Sequence, residues 1–215
     1  MARVLLIFSK TGKARFIGHL DLIRVFQRAV NRAGLPAAYS GGFNPHQKIC
    51  LAVPLALGME GYNEAAELEF EESGNIVITE IMDRLNTALP KGLVVHAARF
   101  MDKHEKTLPA AVSAAHYEMR VHPPGVLPEK ACELLARKSV IISKKTKNSL
   151  RDVDIRPDII SLEVTGDTLR AVLSAGGQRG LKPDLLAEAM GVTFSRHARL
   201  NIYKTVNGEL LPLYT

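Results

Sequence analysis

Two short motifs of this sequence contain residue types that could do chemistry. His19 and Asp21 come at the start of one predicted helix, and His46 and Lys48 come shortly after its end. An imidazole can take or give a proton near neutral pH, and a lysine can stabilise a developing negative charge. We therefore consider His46, His19 and Lys48 as candidate catalytic groups, and we expect the two motifs to converge.

Each histidine also has a structural interpretation. The start of a helix favours a neutral imidazole at His19, as a general base requires, but a capping or partly buried histidine fits this position too. A loop of small and turn-forming residues precedes His46 and can hold its imidazole in a defined place, or it can be a sharp turn into a strand. The residues that shape this loop are Gly41, Gly42, Asn44 and Pro45.

Arginines recur every four residues along the same helix. This spacing places Arg24, Arg28 and Arg32 on one helical face, where planar guanidinium groups suit an extended polyanion such as RNA. Arg15 before the helix and Lys48 after it add to the predicted nucleic-acid-binding set. A second basic cluster, on a predicted hairpin, consists of Lys144, Lys145 and Lys147. The alternative for both clusters is an ordinary solvated face.

Composition indicates a soluble globular protein. The 215 residues are 47% hydrophobic and 23% charged, and 28 Lys and Arg against 22 Asp and Glu give a formal net charge of +6. No apolar run is long enough to span a bilayer, and Cys50 and Cys132 have no metal-ligand or redox spacing. We expect a cytoplasmic protein that binds no membrane, no metal and no cofactor. The sequence leaves open whether the chain is an enzyme.

The order of the predicted elements repeats along the chain. Residues 1–105 predict a βαββαβ series, and residues 112–215 repeat it with an additional hairpin in the middle. We therefore predict an α+β fold of two tandem ferredoxin-like units with antiparallel sheets, separated at a polar stretch over 101–111. We expect the two sheets to face one another or to lie side by side.

Apolar periodicity and turn residues give the bounds of the predicted elements. In the strand over 65–70, Glu67 and Glu69 alternate with apolar residues, which predicts one polar face. The other main segments are strands 2–8, 49–53 and 93–100 with helices 19–33 and 76–89, then strands 116–122, 140–144, 153–164, 169–175 and 193–203 with helices 128–138 and 183–190.

Several motifs resemble those of one bacterial family. They are Arg-Phe-Ile-Gly-His-Leu-Asp at 15–21, Tyr-Ser-Gly-Gly-Phe-Asn-Pro-His-Gln-Lys at 39–48, Pro-Leu-Ala-Leu-Gly at 54–58 and Val-Asp-Ile-Arg-Pro at 153–157. The chain resembles the radical-SAM-linked proteins, a domain of unknown function encoded beside, or fused to, a cobalamin-binding-type radical SAM protein. Residue 18 is Gly here, where that family usually has Ser. The resemblance implies a radical SAM protein as partner. Genes of this family frequently lie near RNA-processing genes, which implies RNA as substrate.

Three functions stay open at this point. The first is an RNA-binding or substrate-presenting module for a radical SAM enzyme, which would carry the chemistry because this chain has no cysteine cluster for an iron–sulfur centre. The second is a metal-independent endoribonuclease in which His46 or His19 takes the 2′-hydroxyl proton and Lys48 or Arg15 stabilises charge. An outline similarity to CRISPR-repeat endoribonucleases is a fold-level analogy for it. The third is a protein-docking subunit without RNA contact.

Overall fold

Eleven strands and five helices make up the described part of the chain in the computed structural model, which covers residues 1–71, 77–145, 150–177 and 179–214. The helices are α1 (His19–Arg32), α2 (Ile78–Ala88), α3 (Leu108–Ala111), α4 (Leu127–Ala136) and α5 (Pro183–Met190). The strands are β1 (Ala2–Lys10), β2 (Ile49–Leu51), β3 (Glu60–Phe70), β4 (Leu93–Phe100), β5 (Val112–His122), β6 (Ile141–Lys145), β7 (Leu150–Asp154), β8 (Ile159–Thr165), β9 (Thr168–Ser174), β10 (Thr193–Val206) and β11 (Glu209–Pro212).

In the first half of the chain, β1 is central to the packing because it is buried on both faces. Val4, Leu6 and Phe8 pack against α1 and α2, and the Phe8 ring meets the Phe26 ring edge to face at 5.0 Å between centroids. Leu5, on the opposite face, joins the larger apolar cluster that contains the core of the second half. Strands β4, β1, β3 and β2 lie in that order, and each neighbouring pair is antiparallel.

The second half repeats this arrangement with an addition. Strands β10, β5, β9 and β8 lie in that order, again with antiparallel neighbours, and α4 and α5 cover one face through residues such as Leu127 and Leu186. The predicted additional hairpin is the pair β6 and β7, which forms a two-stranded sheet apart from the main one. The main sheet is therefore built from two sets of four strands with the same internal order, together with β11, which pairs with the end of β10.

The two sets of strands lie side by side in one continuous sheet, so the alternative in which two sheets face one another is wrong. Strand β3 pairs with β10 in parallel, with Glu60 opposite Ala198 and Gly61 opposite Arg199, so that nine strands are connected. Without this pairing, β3 and β10 would each expose the backbone donors and acceptors of an edge strand here. The short pairing covers part of the edge of each strand. The fold is thus a mixed α/β arrangement with a large, mostly antiparallel sheet.

A buried ion pair lies where the two halves meet. Glu64 and Arg199 are 4% and 1% exposed, and Arg199 Nε donates to Glu64 Oε1 at 2.9 Å. The same guanidinium donates to the carbonyl oxygens of Val53 and Pro54 at 2.9 and 3.3 Å. Lys10 is 1% exposed in the same region, and burial lowers the pKa of its amine. The junction is therefore charged and closed to solvent, and both halves contribute to it.

The polar stretch over 101–111, predicted as a domain boundary, is bound to the first half. Arg3 donates to the backbone carbonyl of Glu105 at 2.9 Å and to the Glu67 carboxylate at 2.6 Å. Arg99 holds the Glu105 carboxylate at 2.7 Å and brings the pKa of that carboxyl to about 2. Glu67 is buried by this stretch, so the polar face predicted for its strand is covered. The division into two domains stays a prediction.

Candidate nucleic-acid interface

Helix α1 positions most of the predicted binding residues. Its buried residues recur at helical spacing, and Leu22, Phe26 and Val30 face the sheet. Because these residues occupy one side of the helix, the polar residues are left on the other, where Arg24 and Arg28 are exposed. The predicted helix over 19–33 is confirmed within one residue.

The three arginines of the predicted stripe differ in what they contact. Arg24 pairs with Asp21 at 2.8 Å, but both side chains are 65% exposed, so the pair is weak and can exchange with another anion. Arg28 is exposed and has no partner among the residues that the structure describes. Arg32 donates to the carbonyl oxygen of Ala88 at 2.7 Å and so satisfies the C-terminal end of α2. Arg24 and Arg28 are therefore the members of the stripe best placed to bind phosphate.

An exposed aromatic ring lies just before α1, in the 3-10 turn Gly12–Phe16. The Phe16 side chain is 60% exposed, and the Arg15 guanidinium lies 4.8 Å from the ring centroid, within cation–π range. Leu20 and Leu57 are similarly exposed, and the Gly58 N–H donates to the Arg15 carbonyl at 3.0 Å, which holds the neighbouring loop beside the ring. The sequence analysis predicted Arg15 as a binding residue and did not consider the neighbouring Phe16.

A serine closes the loop that precedes His46. The backbone N–H of Ser40 donates to the His46 carbonyl at 2.9 Å, and the Ser40 hydroxyl accepts from the His46 N–H at 3.1 Å and lies 2.9 Å from Nδ1. Gly42 has a φ of 106°, which favours glycine, and Phe43 at the tip is fully exposed. The other loop-shaping residues of the sequence prediction, Gly41, Asn44 and Pro45, are exposed in the same loop. Sequence reasoning did not weigh Ser40 as the partner of His46.

Lys48 is not free beside His46. Its ammonium group pairs with the Glu69 carboxylate at 2.8 Å, and its backbone N–H donates to the carbonyl of Ala38. The carboxylate holds the ammonium group in this contact and offsets part of the positive charge that Lys48 would offer to a reacting group. The arrangement therefore supports a structural contact for Lys48 better than a catalytic one.

The two histidine motifs do not converge, which corrects the expectation from their proximity in sequence. Gln47, next to His46, donates to the Asn31 side chain at 2.6 Å, so the loop is attached to the C-terminal end of α1. His19 is the first residue of the same helix, and the rise from His19 to Asn31 is about 18 Å. A mechanism in which both imidazoles act on one substrate atom does not fit this separation.

The predicted lysine cluster is only partly described. Lys144 and Lys145 are the last two residues of β6, and Lys147 lies outside the described residues. Arg151, close behind in sequence, belongs to the paired strand β7, opposite Lys144. The cluster therefore begins on a hairpin, as predicted.

Two further observations concern the described ranges as a whole. No three His, Cys, Asp or Glu side chains within them are grouped so that they could hold a metal ion. None of the helices found there has the length and apolar character needed to cross a lipid bilayer.

The sequence matches the model of one protein family. The model of a family described as an uncharacterized protein conserved in bacteria, DUF2344, matches residues 3–183. No curated protein matches the sequence. The family description names no activity, substrate or partner.

Proposed function

We propose that this chain, which belongs to the bacterial family DUF2344, binds single-stranded RNA and presents it to a radical SAM enzyme. One observation carries the proposal: an exposed aromatic ring lies near each end of α1, and two exposed arginines lie along the helix between those ends. Phe16 precedes the helix, Arg24 and Arg28 lie along it, and Phe43 is at the tip of the loop attached to its far end. Proteins that bind single strands combine cations along the backbone path with aromatic faces on which bases stack.

The dimensions of this surface favour a single strand over a duplex. Helix α1 has 14 residues and is about 21 Å long, so a ligand that reaches both rings must extend over several nucleotides. The bases of a duplex are already stacked on one another, whereas those of a single strand are free to stack on Phe16 and Phe43. Arg15 strengthens the first platform because a guanidinium beside an aromatic ring also attracts a base or its phosphate.

The proposal extends to the architecture. The order of strands in each half is the one expected for a βαββαβ unit folded as an antiparallel sheet, and β6 and β7 are an insertion between α4 and β8 of the second unit. We interpret the chain as two ferredoxin-like units joined edge to edge. In this interpretation α1 is the first helix of the first unit, and its outer surface is open to a ligand.

The radical SAM partner is proposed from the motifs at 15–21 and 39–48, which include the same α1 start and His46 loop that border this surface. In a cytoplasmic complex, the partner would supply the chemistry, and this chain would hold the RNA. The separation of His19 from His46 and the pairing of Lys48 with Glu69 support a binding role over an endoribonuclease.

The test is RNA affinity as a function of salt. Fluorescence anisotropy with a labelled single-stranded RNA should give a log–log slope that falls by about 1.4 in the double variant Arg24→Gln, Arg28→Gln, since each single-strand phosphate contributes about 0.7. Phe16→Ala should leave the slope unchanged and weaken binding by about 1–3 kcal/mol, because it removes a stacked base.

Matched controls come from the other half of the chain. Arg137 forms an exposed ion pair with Glu133 on α4, much as Arg24 does with Asp21, and Arg137→Gln should change neither affinity nor slope. Leu135→Ala, at an exposed apolar residue of α4, is the corresponding control for Phe16→Ala. Equal effects of the α1 variants and these controls, or no RNA binding at low salt, would contradict the proposal.

A protein-docking subunit is the second candidate, and one observation favours it. Phe16, Leu20 and Leu57 are each 60% or more exposed around the start of α1, and apolar side chains grouped on a surface are typical of protein contacts. Leu57→Ala distinguishes the two functions. Loss of the partner enzyme from a pull-down, with RNA affinity unchanged, would assign this patch to protein contact.

A further inference from the structure

A row of polar side chains crosses the face of the second half's sheet that the helices leave open. Met119 on β5 is buried among the residues that contact α4 and α5, so its neighbours Glu118 and Arg120 point to the opposite face. Arg120 lies directly opposite Arg196 on β10 and opposite Thr168 on β9. Three neighbouring strands therefore place two arginines and a hydroxyl side by side.

Glu60 offsets the charge of Arg196, but the charge of Arg120 beside it is not offset by such a contact within the described residues. Like charges directly opposite on paired strands destabilise a sheet. The nearby carboxylates are already engaged, because Glu118 pairs with Arg170 at 2.8 Å and Glu60 pairs with Arg196 at 3.1 Å. Arg120 is exposed, and its guanidinium has no partner in the part of the chain that the structure describes. An anion between the two guanidinium groups would remove the repulsion.

The surface around this pair is concave. A pocket of about 240 Å³ is lined by Tyr62, Glu118, Arg120, Thr168, Arg196 and Ala198. Ala198, the small residue opposite Glu118, leaves space between the longer side chains. The volume is below the range of sites for whole drug-sized ligands and suits one compact charged group. Tyr62 belongs to the first half, so a bound group would contact both halves.

We infer that this pocket binds a phosphate group between Arg120 and Arg196. Guanidinium groups present planar pairs of donors that match phosphate oxygens, and the Thr168 hydroxyl adds a neutral donor at the same row. Phosphate is favoured over a carboxylate because its oxygens are arranged tetrahedrally around phosphorus, so that donors from three strands can approach it from different directions. The inference deepens the proposed function and rests on it in one respect. It takes the phosphate to be a phosphate ester of the RNA backbone.

The direct test uses inorganic phosphate as the probe. Amide and arginine Nε resonances of the full chain are followed by NMR during titration with phosphate against chloride at equal ionic strength. We expect shifts at Arg120, Thr168 and Ala198, and an affinity about 10- to 100-fold lower in Arg120→Gln, which removes a charged hydrogen-bond donor. Thr168→Val should weaken binding about 2- to 10-fold. Arg137→Gln, at the residue that follows α4, is the control and should bind as the wild type does.

A second arm uses a ten-nucleotide RNA and separates this inference from the proposed function. If RNA displaces phosphate from the pocket, and Arg120→Gln reduces the affinity for phosphate and the affinity for RNA, the result supports the pocket and the RNA function together. Phosphate binding that depends on Arg120 without any RNA binding supports the pocket and contradicts the RNA function. RNA binding with no phosphate shift in the pocket, or an Arg120→Gln variant that binds phosphate normally, overturns the inference and leaves the α1 surface as the RNA site.

Discussion

The buried ion pair at the junction of the halves gives the sharpest stability prediction. In Glu64→Gln the shape of the side chain is kept and its charge is removed. The Arg199 guanidinium, 1% exposed, then has no anion beside it, and Lys10 is buried in the same region. Breaking a buried pair by removing one partner costs about 3–5 kcal/mol, which is a large part of the about 5–15 kcal/mol that stabilises a typical domain.

The expected loss is measurable in two ways. For a chain of this size, it corresponds to a fall of about 6–20 °C in Tm, and urea unfolding followed by circular dichroism and by tyrosine fluorescence should give the same loss of free energy. Glu80→Gln is the matched control, because Glu80 and Arg84 are each 48% exposed and such pairs contribute little. Replacing both buried partners by Met should recover part of the loss.

Two results would refute this reasoning. A cost below about 1 kcal/mol for Glu64→Gln would mean that solvent reaches Arg199 and that the junction is open. Unfolding of the wild type in two separate transitions would mean that the halves are independent, although they share a sheet and an apolar cluster.

Three further predictions concern pH, sheet electrostatics and catalysis. Arg99 lowers the pKa of Glu105 from an ordinary 4.5 to about 2, so the stability that this pair contributes above pH 4.5 should be lost as the pH falls toward 2. Urea titrations at stepped pH should show that the unfolding free energy falls by about 1–2 kcal/mol over this range. The Glu105→Gln variant should not show this fall. Arg120→Gln should raise the unfolding free energy by about 0.2–1 kcal/mol at low salt and not at 1 M salt, where the repulsion is screened. Purified protein should cleave no cellular RNA in EDTA, and the effect of His46→Ala should be limited to weaker RNA binding. If the wild type instead released products with 2′,3′-cyclic phosphate ends, and both His46→Ala and His19→Ala lost them, the chain would be an endoribonuclease.

Regular apolar spacing made the helices and central strands predictable. The buried residues of α1 and of α5 recur at helical intervals, and β1 is a continuous apolar run, so local sequence determines each of them. Strand β3 was predicted only over 65–70, but it begins at Glu60. Its first residues are polar and resemble a loop, and they are extended because β1 and β10 pair with them and Arg199 neutralises the charge of Glu64.

The site was less predictable because its contacts are distant in sequence. The loop before His46 follows from its glycines and proline, but the pairing of Lys48 with Glu69 depends on how two strands align. The distance between His19 and the loop was already implied by the predicted helix, whose length alone separates its ends by about 20 Å. Arg120 and Arg196 are 76 positions apart, and only their register in the sheet brings them together.

Photo-crosslinking tests the central claim, that single-stranded RNA lies along α1 with bases on the two aromatic rings. Purified protein is irradiated with a uridine-rich RNA and digested with trypsin, and crosslinked peptides are identified by mass spectrometry. Cleavage at arginine and lysine places Phe16 in the peptide 16–24 and Phe43 in the peptide 33–48. We predict that both peptides carry crosslinked nucleotide and that Phe16→Ala removes the first. Crosslinks confined to peptides outside 16–48 would contradict the account.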